Sequence, residues 1–297
     1  MGFLVSEVPR WPRENHCFSC HNNGDAVRAL YAARQFGYPV PAASLQDTTD
    51  WLMTPLHWKE NKGDKEFSDQ QLADLQFSSA LRAAIETGAV ANKRIAVAAL
   101  GRAAALVSEH QSQDGSWQID ASGAIGSPAT YGQYLATVAA VRVLRSANDE
   151  GKKSALDRGT RWLRAQRPVT VLDAAATLSG LDPKENGPTL ALQQHCLQVI
   201  RRGEDPEGGW GPYVTSRSEP FDTAVVLLAL TNLHQRPDLQ PMIARGRRYL
   251  VESQHQDGSW TETTRPANGV SYAQQLSTCG WATLGLLATV QFGEERD

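Results

Sequence analysis

No stretch of this 297-residue chain approaches the roughly 20 apolar residues of a membrane span. The longest apolar run, Ala224 to Leu230, has the length of a piece of buried helix. No transmembrane segment is therefore expected. Cysteine is scarce: four residues in a chain of this size exclude a disulfide framework. A dominant charge is missing too. With a formal net charge of -3 there is no global basic field to recruit nucleic acid, and no run of like charges forms a tail. Met1 to Arg13 lacks a basic segment followed by a long apolar core, so these residues do not themselves read as a signal peptide. Nothing alternates with the period of a β-strand.

What is present is an ordinary globular composition, 41% hydrophobic and 21% charged, with a repeat. Gln111-Ser112-Gln113-Asp114-Gly115-Ser116-Trp117 returns as Gln254-His255-Gln256-Asp257-Gly258-Ser259-Trp260, and a looser copy ends in Glu207-Gly208-Gly209-Trp210. The tryptophans are 93 and then 50 positions apart. The longer gap holds two periods, because Arg158-Gly159-Thr160-Arg161-Trp162-Leu163 parallels Arg245-Gly246-Arg247-Arg248-Tyr249-Leu250. Trp162 thus opens a unit whose turn, Arg167-Pro168-Val169, has lost its Gly-x-Trp. Such a period is typical of helical hairpins. Asp-Gly offers a positive-φ position after a helix end, and the Trp folds back on that end. Between the turns the apolar positions recur three and four apart, as in Leu135, Val138, Val141 and Leu144, or Ala224, Leu227 and Leu228. Eleven or twelve helices are expected. His110, His195 and His234 fall late in helices, where histidine caps carbonyls or faces solvent.

The pattern Arg-Gly-x-Arg-Tyr-Leu-x-x-x-Gln-x-x-x-Gly-x-Trp resembles the QW motif of the squalene-hopene cyclase and oxidosqualene cyclase superfamily, over about Ile95 to Val290. The resemblance implies an all-α fold, a single α/α barrel with an inner ring of helices inside an outer one. It also implies that the QW segments clamp helix ends and do no chemistry. Cyclases of this family protonate their substrate with the middle Asp of Asp-x-Asp-Asp-Thr-Ala. Glu219-Pro220-Phe221-Asp222-Thr223-Ala224 matches that motif in register, with Phe221 at the proton-donor position. A phenyl ring cannot donate the proton, so class II cyclase activity is not expected of this site. Asp222 then reads as a helix N-cap. A relocated acid would fall to Asp173 or Glu219, with Asp222 the remaining weak catalytic candidate.

The other motif is Cys17-Phe18-Ser19-Cys20-His21, which matches the attachment signature of c-type haem. Two thiols at this spacing add to the two vinyl groups on one edge of a porphyrin, and the adjacent His reaches the iron. Met53 or His57 is a candidate sixth ligand, with Trp51 and Trp58 as neighbouring aromatic wall; an open fifth-coordinate iron competes with both. Zinc on Cys17, Cys20 and one or both of His16 and His21 is an alternative, although no second Cys pair exists to complete it. A redox dithiol and a chance match also stand. The expected organisation is a haem-bearing segment, residues 1–60, packed on a barrel of residues 61–297. The expected function is a c-type haem protein engaged in electron transfer or small-ligand chemistry, its partner a redox protein or a small hydrophobic ligand. It implies a periplasmic or otherwise extracytoplasmic location, with a signal peptide already removed. The alternatives are a non-catalytic isoprenoid-binding barrel and a class II cyclase with an altered acid.

Overall fold

The computed structural model describes residues 1–61, 69–119, 132–182, 187–233, 235–263 and 271–290. Among these residues lie twelve α-helices, and the only β-type pairing is an isolated bridge between Glu204 and Trp210. The helices alternate in chain order as six pairs, each an outer helix followed by an inner one. The first is α1 (Gly2–Asn15), then a π-helical segment (Cys20–Ala26) continuous with α2 (Val27–Gln35). The others are α3 (Gln46–Leu52) with α4 (Gln70–Glu86), α5 (Lys93–Glu109) with α6 (Gly132–Ala147), and α7 (Lys153–Ala165) with α8 (Val171–Gly180). α9 (Pro188–Arg202) with α10 (Pro220–Thr231) and α11 (Gln240–Glu252) with α12 (Tyr272–Ala288) complete the set. His234 and the Gly126-Ser127-Pro128 joint lie outside the described residues.

Hydrophobic patterning sorts the two rings. α10 buries nearly every side chain, as a helix enclosed on all sides must. α7 buries only Ala155, Gly159 and Leu163, one stripe on an otherwise polar helix. The inner helices pack in chain order, α2 on α4, α4 on α6, and so on to α12, which packs back on the π-helical segment and α2. The fold is a single closed α/α barrel. Residues 1–60, read from sequence as a segment lying on the barrel, instead supply its first hairpin and the outer helix of its second. The reason is burial: Ala26, Val27, Ala29 and Leu30 are wedged between α4 and α12 and have no water-facing side to leave free.

The repeated turn has one structure. Trp117, Trp210 and Trp260 are buried, and each indole N–H donates to a carbonyl ten residues back, at Val107, Ile200 and Leu250, within the last turns of the outer helix. Those carbonyls have few partners inside their own helix. The Trp backbone N–H reaches forward to the inner helix, to Thr137 Oγ1, Thr223 Oγ1 and Cys279 Sγ. Asp114 and Asp257 each accept from the Ser two residues on, and Gly115, Gly208 and Gly258 take positive φ. The conserved spacing also spans hairpins. A Cβ on Gly159 would meet the Trp117 ring at 2.9 Å, and one on Gly246 the Trp210 ring at 2.6 Å. The Gly of the Arg-Gly pair is therefore the floor on which the preceding unit's Trp rests. Gln111 Oε1 accepts from Arg158, and Glu204, at the equivalent position, pairs with Arg245 at 2.7 Å.

Short connections make sequential helices antiparallel neighbours. The N-termini of the inner helices consequently gather at one end of the ring. The Cys17–His21 segment, Asp173, Glu219 and Asp222 all lie at that end, at the N-termini of three inner helices.

Candidate functional site

The Cys-x-x-Cys-His segment is the passage from α1 to the first inner helix. His16 ends α1 with φ 54° and its N–H on Pro12 O, which turns the chain inward. Ser19 then caps the π-helical segment, its hydroxyl accepting from the N–H groups of His21 and Asn22. Asn61 holds Phe18 at both backbone atoms, accepting from its N–H at 3.0 Å and donating to its carbonyl at 2.6 Å. Asn23 accepts from Ser19 N–H and donates to Val8 O and Thr48 Oγ1. Asn22 donates to Glu7 O and to Tyr272 Oη, tying the segment to α12. Phe18 stacks on Trp51 with ring centroids 4.7 Å apart. Motif backbone and neighbours are thus fixed from three helices.

Cys17 and Cys20 are both free thiols. Burial, reinforced by the charges of Asp25 and Asp69, pushes the Cys20 thiol up to about 12. Several buried polar atoms beside the motif have no hydrogen-bond partner: Trp11 Nε1, Trp51 Nε1, Asn22 Oδ1 and Asp69 Oδ2. Among the described residues no three His, Cys, Asp or Glu side chains are arranged to hold a metal ion. The donor set therefore does not converge as a four-coordinate zinc site requires. Attachment of a porphyrin asks less of it: two unbridged thiols three residues apart and a His beside the second. In that respect the residues fit haem c.

The candidate sixth ligands lie at the end of α3 and in the turn after it. Met53 ends α3 and lines a groove with Arg34, Thr49, Asp50 and Val90. His57 is exposed in a 3₁₀ turn, its Nδ1 bonded to Glu60 at 2.9 Å, which holds the Glu60 carboxyl below its ordinary range. The motif meets this region through Phe18. Trp58 packs on Phe77 and Trp51 on Phe18 and Phe77, so both indoles belong to the core.

The cyclase-like segment is structural in most of its parts. Phe221 is fully buried, edge-on to Trp281. Thr223 holds Trp210. Asp222 is not the N-cap: Glu219 holds that position, without a side-chain cap bond, and Asp222 lies buried within the first turn. Pro220 occupies the first helical position and moves the cap back three residues from the place the apolar run marks. Asp173 sits in the first turn of α8 behind the Thr170 cap, its carboxyl pushed up by burial.

Asp25, which sequence reasoning passed over, is the most heavily engaged carboxylate in the inner ring. It accepts from Ser277 Oγ and from Trp281 Nε1 at 2.9 Å, and pairs with Arg28 at 2.5 Å. Its signal was an Asp and an Arg three apart on the apolar face of a helix. Below it, on the barrel axis, lies a cavity of about 30 Å³ to which all six inner helices contribute. Its polar wall is formed by Arg28, Arg82 and Arg142.

Residues 173–296 match the family model of the squalene-hopene cyclase C-terminal domain. Among solved structures, the chain is similar to a glycosyl hydrolase of family 88 from Bacteroides vulgatus. The two are 12% identical over 98% of this chain and 99% of that one, with a TM-score of 0.54. Comparison with curated proteins finds no match. The structural likeness concerns the α/α barrel alone.

Proposed function

We propose that the chain is a c-type haem protein, with haem held at Cys17, Cys20 and His21 at the end of an α/α barrel. The observation that carries the reading is the pair of unbridged thiols and the adjacent His at the head of the first inner helix. Each thiol would add S–H across one vinyl group, its sulfur to one carbon and its hydrogen to the other. His21 would ligate the iron. Ser19, Asn23 and Asn61 hold the motif's backbone at Phe18, Ser19 and His21, so the direction of His21 is set by the fold. Bound haem supplies a one-electron couple and an iron able to take a small ligand. Attachment of this kind belongs outside the cytoplasm, so the reading includes export. The alternative of an isoprenoid in the barrel gains no support from the described axis, whose cavity is small and lined by guanidinium groups.

The test is production with a haem-attachment system and export, followed by a pyridine haemochrome spectrum of the denatured protein. Wild type is expected to retain haem through denaturation. Cys17→Ser or Cys20→Ser should shift the haemochrome band to that of a single thioether, and the double variant should lose haem on extraction. Wild-type protein without covalent haem under these conditions rejects the proposal.

A further inference from the structure

We propose that the axial cavity is a binding site for one small oxyanion group, a phosphate or a carboxylate, gripped by Arg28, Arg82 and Arg142. The three guanidiniums come from three inner helices and face one space of about 30 Å³, room for little more than such a group. Guanidinium groups that share one part-buried space repel one another, and an anion between them relieves that repulsion.

Each guanidinium is fixed in advance. Arg28 lies over the Trp281 ring at 4.6 Å and is anchored on Asp25. Arg142 donates to Ser179 O at 2.8 Å. Arg82 places Nη1 on both oxygens of Glu86 at 2.6 Å. Its Nε is buried and meets no acceptor. A guanidinium offers five N–H donors in a planar fork suited to phosphate or carboxylate oxygens. An oxyanion in the cavity satisfies the Nε–H of Arg82 and completes the fork. Ser79, also on the wall, adds a hydroxyl donor.

The anchoring separates test from collapse. Arg28 neutralises buried Asp25, so its removal would disturb the fold. Arg82 and Arg142 are the residues to change. Phosphate, acetate and chloride are titrated separately, as sodium salts, against wild type, Arg82→Gln and Arg142→Gln, with thermal unfolding as the readout. Circular dichroism confirms that each variant is folded; if Arg142→Gln is not, Arg82→Gln alone decides. The expected result is stabilisation by phosphate or acetate, with an apparent Kd at least tenfold weaker in the variants. The better of the two identifies the oxyanion. Stabilisation by an anion that is equal in wild type and variants, or no stabilisation by any of the three, overturns the proposal.

Discussion

Gly246→Ala and Gly101→Ala are the same substitution in the interior of two outer helices, and the structure gives them opposite signs. At Gly101 a Cβ meets nothing within 4 Å. Alanine there should gain about 0.5–1 kcal/mol from helix propensity and a less flexible unfolded chain. At Gly246 the Cβ would stand 2.6 Å from Trp210 Cζ3 and 3.1 Å from Leu227 Cδ2. Carbon contacts settle at roughly 3.5–4.0 Å, so about 1 Å must be found. The ring cannot yield easily, since its indole N–H is held by Ile200 O at 2.9 Å and its backbone N–H by Thr223 Oγ1 at 2.9 Å. Overpacking costs about 1–3 kcal/mol, and two close contacts on a tethered ring put this case near the top. After the propensity gain of about 1 kcal/mol the net loss is about 2 kcal/mol. At roughly 2–4 °C per kcal/mol, Gly246→Ala should melt about 4–8 °C lower and Gly101→Ala about 1–4 °C higher. Calorimetry and urea unfolding measure both. Adding Trp210→Phe to Gly246→Ala frees space, so the double variant should lose less than the sum of the singles. Equal behaviour of the two glycine variants, or strict additivity in the cycle, refutes the view that the repeat's Gly is the floor for the preceding Trp.

Three further outcomes follow from the same contacts. Thr223→Val leaves the buried Trp210 N–H without its acceptor and should cost about 1–3 kcal/mol in urea unfolding; an unchanged midpoint would show that Thr223 does not hold the clamp. Burial pushes the thiols of Cys20, Cys196 and Cys279 up to about 12. In haem-free protein at pH 8 iodoacetamide should therefore leave Cys196 and Cys279 unlabelled until denaturant is added, and mass spectrometry that finds either labelled in the native state contradicts its burial. The bond from His110 to Asp74 at 3.0 Å raises the His110 pKa. A raised folded pKa gives stability that is complete below the unfolded value of about 6.5 and is lost as pH rises through the folded one. His110→Gln should thus cost more stability at pH 5 than at pH 9, and an equal cost at both would remove the ion pair from the account.

The barrel was legible because its signals are local. The Gln-x-Gln-Asp-Gly-Ser-Trp turn needs only a few residues to set its Asp–Ser bond, its positive-φ Gly and its returning indole. The pairing of Trp117 with Gly159 and of Trp210 with Gly246 was not legible, because it joins one unit to the next. The same limit hid the engagement of Asp25, whose partners Ser277 and Trp281 are more than 250 positions away. His110 was read as a cap or a surface residue for that reason too, its true partner lying on α4. His195 does bond a carbonyl, that of Pro168 at 2.8 Å, but in another hairpin. The Cys17–His21 motif was plain in sequence, whereas its place as the start of an inner helix depended on Tyr272 and α12 closing over it.

That closure sets an order of events. An open solenoid can consolidate unit by unit, but the first hairpin here lacks one wall until α12 exists. Asp25 waits for Ser277, and Glu7 waits for Tyr272. At roughly 5–20 residues per second, the interval between synthesis of the two ends is tens of seconds. During it, Cys17 and Cys20 are available to modifying machinery on a chain that has not yet shut. Afterwards Cys20 is partly buried. The ring therefore closes last, when α12 reaches the π-helical segment and α2.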